Sequence, residues 1–273
     1  MPKARMDLPK LLRVPGGGRV KLTDAGAGRT HGWVEEHARI ATAKLAVGLE
    51  ELQYKLYADG RYGVLVVLQA IDGGGKDSTI RRVFSAFNPQ GCTVHAFKAP
   101  SPEELRHDFL WRIHAQVPPR GEIAVFNRSH YEDVLIARVD RLVQRPVWQA
   151  RYLQINDFER MLAANHIQVV KIFLQISKAE QRRRFEERIH EPRKQWKFDP
   201  QDLVKRGHWQ AYTEAFGDML GRCSTRHAPW YVVPADHKWL RDLAVSQILL
   251  QTLRALPLRF PPPKFEPRKM RVR

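Results

Sequence analysis

The sequence has few cysteines and no long apolar segment. Only Cys92 and Cys223 occur among 273 residues, and their wide separation fits neither a metal-binding motif nor a disulfide framework. No apolar run approaches the ~20 residues of a membrane helix, and the N-terminal stretch lacks the apolar core of a signal peptide. We therefore expect a cytoplasmic protein of a reducing compartment that does not insert into membranes.

Negative charge is also scarce. The chain carries 46 Lys and Arg against 29 Asp and Glu, which gives a formal net charge of +17. Such an excess favours a polyanionic partner, either nucleic acid, an anionic membrane or a phosphate polymer, and charge alone does not choose among them. The hydrophobic content of 43% suffices for a full core, and the length fits one large domain with extensions.

The composition divides the chain into three parts. Residues 1–33 are rich in Gly, Pro and basic side chains and predict an extended N-terminal arm that is ordered only where it meets another surface. Residues 34–256 alternate apolar strands with amphipathic helices, which predicts an α/β domain with a mainly parallel sheet. Residues 257–273 contain three consecutive prolines and predict an irregular basic tail.

The periodicity within the central part predicts individual elements. We expect five strands, at residues 64–69, 92–97, 122–127, 168–176 and 230–233. We expect helices at residues 34–58, from 78 onward, and at 101–115, 131–142, 148–165, 177–190, 203–220 and 239–256.

The segment from the first strand to the next helix has the composition of a phosphate-binding loop. Gly73, Gly74 and Gly75 precede Lys76, and glycine amides, a helix N-terminus and a lysine together attract phosphate. The match to the P-loop pattern is incomplete, because Ala70 replaces the first glycine and Asp77 replaces Ser/Thr. The alternative is a glycine-rich turn with a surface lysine, but the strand–loop–helix context favours phosphate binding.

Several carboxylates near this loop are candidate metal ligands. Mg²⁺ in proteins commonly takes one or two carboxylates together with substrate phosphate and water. Asp72 is the most informative, because a carboxylate inside a phosphate cradle repels its own ligand unless a metal lies between them; the alternative is that it caps the turn. The other candidates are Asp77, Glu132 and Asp133.

Basic side chains follow two strands and dominate a later helix. Lys98 and Arg128 follow successive strands, whose carboxyl ends meet at one edge of a parallel sheet. The highly charged segment 178–202 includes Arg188, Lys194 and Lys197 and lies where a P-loop kinase has its lid. The alternative is a solvated charged helix.

Four stretches resemble the polyphosphate kinase 2 family. They are IDGGGKDSTI at residues 71–80, the segment 88–112 from NPQGC to HDFLWR, FNRSHYEDVL at 126–135 and EPRKQWKFD at 191–199. The resemblance spans residues 34–256 and is strongest to single-domain members that accept AMP as well as ADP. It implies a thymidylate-kinase-like P-loop kinase fold with three layers and a helical lid. It also implies phosphoryl transfer between inorganic polyphosphate and AMP, ADP or another purine nucleotide, with Mg²⁺, or alternatively Mn²⁺.

The resemblance assigns roles position by position. Asp72 is similar to the loop aspartate that binds metal and orients the acceptor, and Lys76 to the loop lysine that contacts phosphate. Asn127 takes the Walker B position, where many relatives have Asp, so we expect metal binding to shift to Asp72, Glu132 and Asp133. The remaining assignments are the phosphate-binding Arg128, the lid cations Arg188, Lys194 and Lys197, and a nucleotide site around Lys98, Asp108, Trp111 and Arg112. The family implies a homodimer or homotetramer.

Two other functions compete with this one. An ATP-dependent nucleotide kinase on the same fold would require ATP as its donor. A basic nucleic-acid-binding protein with a degenerate P-loop would account for the net charge of +17. Nucleic acid is not the expected partner, because the basic residues cluster at strand ends and in the lid without the interleaved aromatic side chains of a stacking platform.

Overall fold

The computed structural model describes residues 7–271. Within them, five strands form one parallel sheet in the order β2-β3-β1-β4-β5. The strands are β1 (Gly63–Gln69), β2 (Cys92–Ala96), β3 (Ile123–Asn127), β4 (Ile167–Gln175) and β5 (Trp230–Pro234). All five predicted strands are confirmed to within a residue or two, and every crossover connection between them contains at least one helix or helical turn.

The α-helices, numbered along the chain, cover both faces of the sheet. They are α1 (Leu8–Leu12), α2 (Asp24–Ala27), α3 (Glu35–Asp59), α4 (Lys76–Val83), α5 (Trp111–His114), α6 (Ile136–Val139), α7 (Arg145–Ala164), α8 (Lys178–His190), α9 (Gln201–Gly207), α10 (Trp209–Cys223) and α11 (Lys238–Ala255). None of these helices combines the length and apolarity that a bilayer crossing requires.

Strand β1 shows why the fold has three layers. Val64, Val66 and Leu68 belong to a core shared with α3 and α11, whereas Leu65 and Val67 belong to a second core shared with α7 and α10. All seven residues of β1 are buried. A central parallel strand covered on both faces is uniformly apolar rather than alternating, so the predicted three-layer α/β fold with a five-stranded parallel sheet is confirmed.

Three predicted helices are interrupted. The predicted capping box forms, since the Ser101 amide donates to Glu104 Oε2 at 2.7 Å and the Glu104 amide donates to Ser101 Oγ at 3.2 Å. Only a 3₁₀ turn follows, because His107 is extended and the Asp108 carboxylate accepts from the Leu110 amide at 2.9 Å. Local side-chain hydrogen bonds of this kind compete with helix propagation.

The other two interruptions lie beyond β3 and beyond the lid. The predicted helix 131–142 is a 3₁₀ turn, His130–Val134, followed by α6, and Leu135 between them has φ −102° and ψ −80°. The predicted helix 203–220 is two helices, α9 and α10, which are separated at His208. Periodicity alone did not reveal these breaks.

Residues 7–33 are ordered where they meet the surface of the domain, but they include two short helices, α1 and α2, and are not extended throughout. Leu8 in α1 is fully buried, the Val14 amide donates to the Trp230 carbonyl at 2.8 Å, and Arg19 pairs with Asp218 at 2.7 Å. A few apolar residues and specific polar contacts therefore hold this segment on the domain despite its Gly-rich composition. Residues 1–6 of the predicted arm and 272–273 of the tail lie outside the described residues, and residues 257–271 contain neither an α-helix nor a strand.

Candidate active site

The glycine loop between β1 and α4 adopts a conformation that requires glycine. Gly73 has φ +82° and Gly75 has φ +101°, both in the left-handed region that side chains disfavour. A Cβ atom on Gly74 would lie 2.4 Å from the Ala70 side chain, and one on Gly75 would lie 2.5 Å from Arg241. The three glycines thus allow a turn that no other residue could make without displacing its neighbours.

Side chains from two other helices hold the loop carbonyls. Gln181 of α8 donates to the Asp72 carbonyl at 2.7 Å, and Arg184 of α8 donates to the Gly73 carbonyl at 2.9 Å. Arg241 of α11 donates to Ser78 Oγ at 2.8 Å and reaches the Gly75 carbonyl at 3.4 Å. In a trans peptide the N–H of one residue points opposite to the C=O of the residue before it. Fixing the carbonyls of Asp72 and Gly75 therefore directs the N–H groups of Gly73 and Lys76 away from the side chains of α8 and α11 that hold those carbonyls.

Lys76 is buried behind the loop. Its Nζ donates to the Ala70 carbonyl at 3.0 Å, and its side chain adds charge to the cavity described below. Burial and the nearby Arg128 lower the pKa of Lys76, and the carboxylates of Asp72 and Glu132 oppose that shift. The folded chain thus holds this ammonium group at an energetic cost, which a bound anion would relieve.

Asp72 is surrounded by cations. Arg128 Nη2 lies 2.6 Å from Asp72 Oδ1, and Lys205 Nζ lies 3.4 Å from Oδ2. Burial by itself would raise the pKa of Asp72, but the charges of Lys76, Arg128 and Lys205 outweigh it and the net shift is downward. Asp72 is therefore an ionised carboxylate that keeps three cations together at the base of the loop.

Arg128 reaches Asp72 from a strained backbone position. Its φ of +63° is unusual for a residue with a side chain, and strained backbone conformations of this kind cluster at functional sites. A buried cluster holds the segment that follows: Lys171 Nζ donates to Tyr131 Oη at 2.8 Å and to Glu159 Oε2 at 2.5 Å, and Tyr131 Oη donates to Glu159 Oε1 at 2.8 Å. Residues of β4 and α7 therefore hold Tyr131, in the turn that begins two residues after Arg128.

Asp77 and Asn127 form a pair across the cavity. Asn127 Nδ2, at the end of β3, donates to Asp77 Oδ1, at the start of α4, at 2.7 Å. A P-loop enzyme commonly has a hydroxyl on the helix and a carboxylate on the strand. Here the carboxylate is on the helix and a neutral amide is on the strand, so one negative charge is kept but its position has moved.

The loop forms one wall of a large cavity of about 870 Å³. Eleven cationic side chains line it against five carboxylates. The cations are Lys76, Arg81, Lys98, Arg128, Arg184, Arg188, Arg193, Lys194, Lys197, Lys205 and Lys238, and the carboxylates are Asp72, Asp77, Glu187, Asp199 and Asp202. The volume is near the upper end of the range for small-molecule sites, and the surplus of positive charge selects for an anion of several charges.

Comparison with known proteins assigns the family. The model of the family described as Polyphosphate kinase 2 matches residues 34–259. The chain is a member of the polyphosphate kinase 2 family. A family member from Meiothermus ruber, named AMP/ADP-polyphosphate phosphotransferase, is 52% identical over 224 residues, which cover 82% of this chain and 84% of that protein. Another, an ADP-polyphosphate phosphotransferase from Rhodopseudomonas palustris, is 47% identical over 78% of each chain.

Solved structures of polyphosphate kinase 2 share the fold. The crystal structure of the Arthrobacter aurescens protein superposes with a TM-score of 0.90 at 41% identity, over 94% of this chain and 93% of that one. A Pseudomonas aeruginosa structure described as a putative polyphosphate kinase 2 has a TM-score of 0.78 at 32% identity, over 82% of this chain and 48% of that one. The family likeness therefore extends over nearly the whole described fold.

Most of the residues that the sequence singled out meet in this cavity. Those lining it are Asp72, Gly73, Gly74, Gly75, Lys76, Lys98, Asn127, Arg128, Arg188, Lys194 and Lys197. The lid segment begins with α8 and continues through a 3₁₀ turn at Gln195–Lys197, and Ser177 caps α8 as predicted, accepting from the Glu180 amide at 3.1 Å.

Five other predicted residues do not line the cavity. One of them, Trp111, stacks on His107 with the ring centroids 4.1 Å apart. Asp133 pairs with Arg151 at 3.0 Å, Asp108 caps a local turn, and Arg112 Nη1 donates to the Lys98 carbonyl at 3.0 Å. Glu132 lines a small adjoining cavity together with Asp72. Among the candidate metal ligands, Asp72 and Asp77 line the main cavity and Glu132 lines the adjoining one, whereas Asp133 lines neither.

Some residues of the site carried little sequence signal. Lys205 contacts Asp72 across 133 positions of chain, and Arg241 reaches Gly75 of the loop across 166. No local motif surrounds either residue. Arg184 had a signal, since it lies four residues before Arg188 on the same helix face, but that spacing did not reveal that it binds the loop backbone rather than a ligand.

The pair of Asp77 and Asn127 makes a testable prediction. We expect Asn127→Asp to lower the melting temperature without Mg²⁺, because two carboxylates would replace a 2.7 Å hydrogen bond. Saturating Mg²⁺ should reverse the loss, and transfer activity should then be retained. The exchange Asp77→Asn with Asn127→Asp restores one carboxylate and one amide and should recover the metal-free melting temperature. Equal melting temperatures for wild type and Asn127→Asp without metal would contradict this account.

Proposed function

We propose that this chain transfers a phosphoryl group between inorganic polyphosphate and a nucleoside mono- or diphosphate. The observation that carries the proposal is the cavity itself, in which eleven cations and five carboxylates surround a glycine loop with a buried lysine. Polyphosphate is a linear polyanion, and a wall of cations raises its local concentration. Relatives named AMP/ADP-polyphosphate phosphotransferase and ADP-polyphosphate phosphotransferase support the same substrates.

The chain's own residues can neutralise the charge that moves during transfer. In-line phosphoryl transfer needs positioning and cations more than covalent chemistry. Lys76 and Arg128 reach the cavity from the loop side, and Arg188 reaches it from α8. Arg188 is held loosely, with its Nη1 3.5 Å from Asp202 Oδ2, so it can exchange that carboxylate for a phosphate oxygen.

The carboxylates of the cavity fit a divalent cation bound together with phosphate. Among the described residues no group of three or more His, Cys, Asp or Glu side chains could hold a metal alone. Mg²⁺ in phosphate sites usually uses one or two carboxylates plus phosphate oxygens and water. Asp72 and Asp77, with Glu132 nearby, would hold Mg²⁺ or Mn²⁺, and the bound ion would supply charge neutralisation between the two substrates.

The nucleotide end of the cavity lies at the end of β2. Phe97, Lys98 and Ala99 line it there, and Trp196 of the lid lies on the cavity surface with 78% of its area exposed. Arg112 holds the Lys98 carbonyl and lies 5.4 Å from the Phe97 ring centre. We assign Lys98 to nucleotide contact and Arg112 to positioning that segment.

A donor and acceptor matrix tests the proposal. Purified chain with Mg²⁺ is incubated with AMP, ADP, GMP or GDP, and with polyphosphate or ATP as donor, and the products are separated by ion-exchange chromatography. We expect nucleotide products with polyphosphate. Products only with ATP would indicate an ATP-dependent nucleotide kinase instead. Absence of any product, combined with tight salt-sensitive DNA binding, would indicate a nucleic-acid-binding protein.

A further inference from the structure

A chain of hydrogen bonds connects α9 to the glycine loop from outside the active-site cavity. Arg206 Nη1 donates to Gln181 Oε1 at 2.8 Å, and Gln181 Nε2 donates to the Asp72 carbonyl at 2.7 Å. Arg206 Nη1 also donates to the Lys178 carbonyl, at the start of α8, at 2.8 Å. Neither Arg206 nor Gln181 lines the cavity, although the loop that they hold forms one of its walls.

The amide of Gln181 fits this chain in one orientation only. Its NH2 group is a donor and faces a carbonyl, whereas its oxygen is an acceptor and faces a guanidinium group. The reversed amide would place two oxygens together at Asp72 and two donors together at Arg206. Gln181 is only 1% exposed, so a reversed amide could not turn to water for its hydrogen bonds. Arg206 thus fixes the orientation of the amide that holds the loop.

The carbonyl that Gln181 holds determines where the Gly73 N–H points. The Asp72 carbonyl and the Gly73 N–H belong to one trans peptide and point in opposite directions. Gly73 lines the cavity, and its N–H donates to no acceptor within residues 7–271. An N–H group of this kind in a glycine loop is a donor for a phosphate oxygen. The chain that begins at Arg206 therefore orients a group that an anion in the cavity can use.

The residue beside Arg206 holds the side chain of the same aspartate. Lys205 Nζ lies 3.4 Å from Asp72 Oδ2, and Lys205 and Arg206 are consecutive near the end of α9. At the start of α9, Asp202 lies 3.5 Å from Arg188 of α8. Helix α9 thus contacts the carboxylate of Asp72 directly, its main chain through Gln181, and a lid arginine at its other end. A displacement of α9 would disturb all three contacts together.

We propose that Arg206 is a positioning residue, which acts through Gln181 to direct the Gly73 N–H at a phosphate oxygen in the cavity. The inference rests on the phosphate-binding role proposed above for the loop. The two hydrogen bonds act in series, so breaking either one releases the Asp72 carbonyl. Two substitutions that break the same chain should therefore cost no more together than one of them costs alone.

Steady-state kinetics of Arg206→Met and Gln181→Met, singly and together, test the chain. Each single variant should lower kcat by about tenfold, because small misplacements of a binding group have effects of this size or larger, and the double variant should also lose about tenfold rather than about 100-fold. Arg206→Lys should keep kcat within about twofold of wild type, since both bonds of Arg206 come from one nitrogen and a lysine ammonium has three donors.

A merely structural role would lower the melting temperature and leave kcat per folded enzyme unchanged. Wild-type kcat in Arg206→Met, or losses that multiply in the double variant, would overturn the proposal. Arg206 is only partly buried, so its variant decides the result even if Gln181→Met does not fold.

Isothermal titration with tripolyphosphate in the presence of EDTA measures binding without catalysis. Arg206→Met and Gln181→Met should each weaken tripolyphosphate binding by about fivefold, which is the scale of one hydrogen bond. Gln181→Met should do so without any change of charge. Arg182→Met is the matched control for lost charge, because its side chain is 72% exposed and, together with burial, its charge lowers the pKa of Arg206. The control should keep wild-type affinity and kcat.

The binding experiment also separates this inference from the proposed reaction. Wild-type affinity in both Arg206→Met and Gln181→Met, or no binding of tripolyphosphate by the wild type, overturns the role of Arg206. If the wild type binds tripolyphosphate but forms no product with any donor, the proposed reaction is wrong, and the affinities of the variants still decide the role of Arg206.

Discussion

Replacing Lys76 with Met is expected to lower kcat by about 10³-fold without destabilising the fold. The loss follows from removing one preorganised charge aimed at the transferring phosphoryl group, for which mutational effects of about 10²–10³ are typical. Met keeps most of the side-chain volume, so the contacts of the buried stem remain. The KM for polyphosphate should rise as well, because the role that we propose for Lys76 includes binding the phosphate chain before transfer.

The stability part of this prediction follows from the pKa of Lys76. Burial and Arg128 lower that pKa in the folded protein. A lysine whose pKa is lowered by folding destabilises the folded state at any pH below the lowered pKa, where both states carry the proton. Removing the charge should therefore leave the melting temperature at neutral pH unchanged or raise it.

Steady-state kinetics and thermal melts, measured on the same preparations, separate these effects. Lys269→Met makes the same substitution at a side chain that is 74% exposed in the tail and should change neither kcat nor melting temperature. If Lys76→Met kept wild-type kcat, the phosphate-binding role of the loop would be wrong.

Changing Asp72 to Asn is expected to lower kcat by about 10²–10³-fold, which is the typical effect of removing one preorganised charge. Asn cannot keep the charge that holds Arg128 at 2.6 Å and Lys205 at 3.4 Å. The three cations around it would repel each other, and one of the two cavity carboxylates best placed for a divalent ion would be lost. The dependence of the rate on Mg²⁺ should therefore shift to higher concentration.

Asp72→Asn should also lower stability at neutral pH. The pKa of Asp72 is lowered in the folded chain, so folding favours its ionised form. This contribution is present above the ordinary pKa of aspartate and disappears as the pH falls through the lowered value. Melting temperatures of wild type and variant should thus converge in acid and diverge at neutral pH.

The control for Asp72 is Asp157→Asn on α7. Asp157 has a side chain 47% exposed and pairs with Arg160 at 2.9 Å, and exposed pairs of this kind contribute little to stability. We expect wild-type kinetics and melting temperature from it. Full activity with unchanged Mg²⁺ dependence in Asp72→Asn would contradict the role assigned to Asp72.

The points at which the predicted helices are interrupted could not be predicted from the sequence. The Ser101–Glu104 capping box was predicted and forms, yet the helix it should start is only a 3₁₀ turn. Caps are local and can be read from four residues, whereas helix continuation depends on what the following residues pack against. Likewise Leu8 and Leu12 become buried only because the domain supplies a surface for them.

What the sequence determined by itself was the layered fold, the glycine loop and the residues at the strand ends, because strand periodicity and parallel connections place those ends together. It also revealed the family, through motifs that are contiguous along the chain. Only the tertiary structure decided which charges meet. Arg184 and Arg241 bind the loop carbonyls, Lys205 joins Asp72, and Asn127 faces Asp77. These contacts join residues 50 to 166 positions apart, and their distances follow from how helices pack on the sheet rather than from any local pattern.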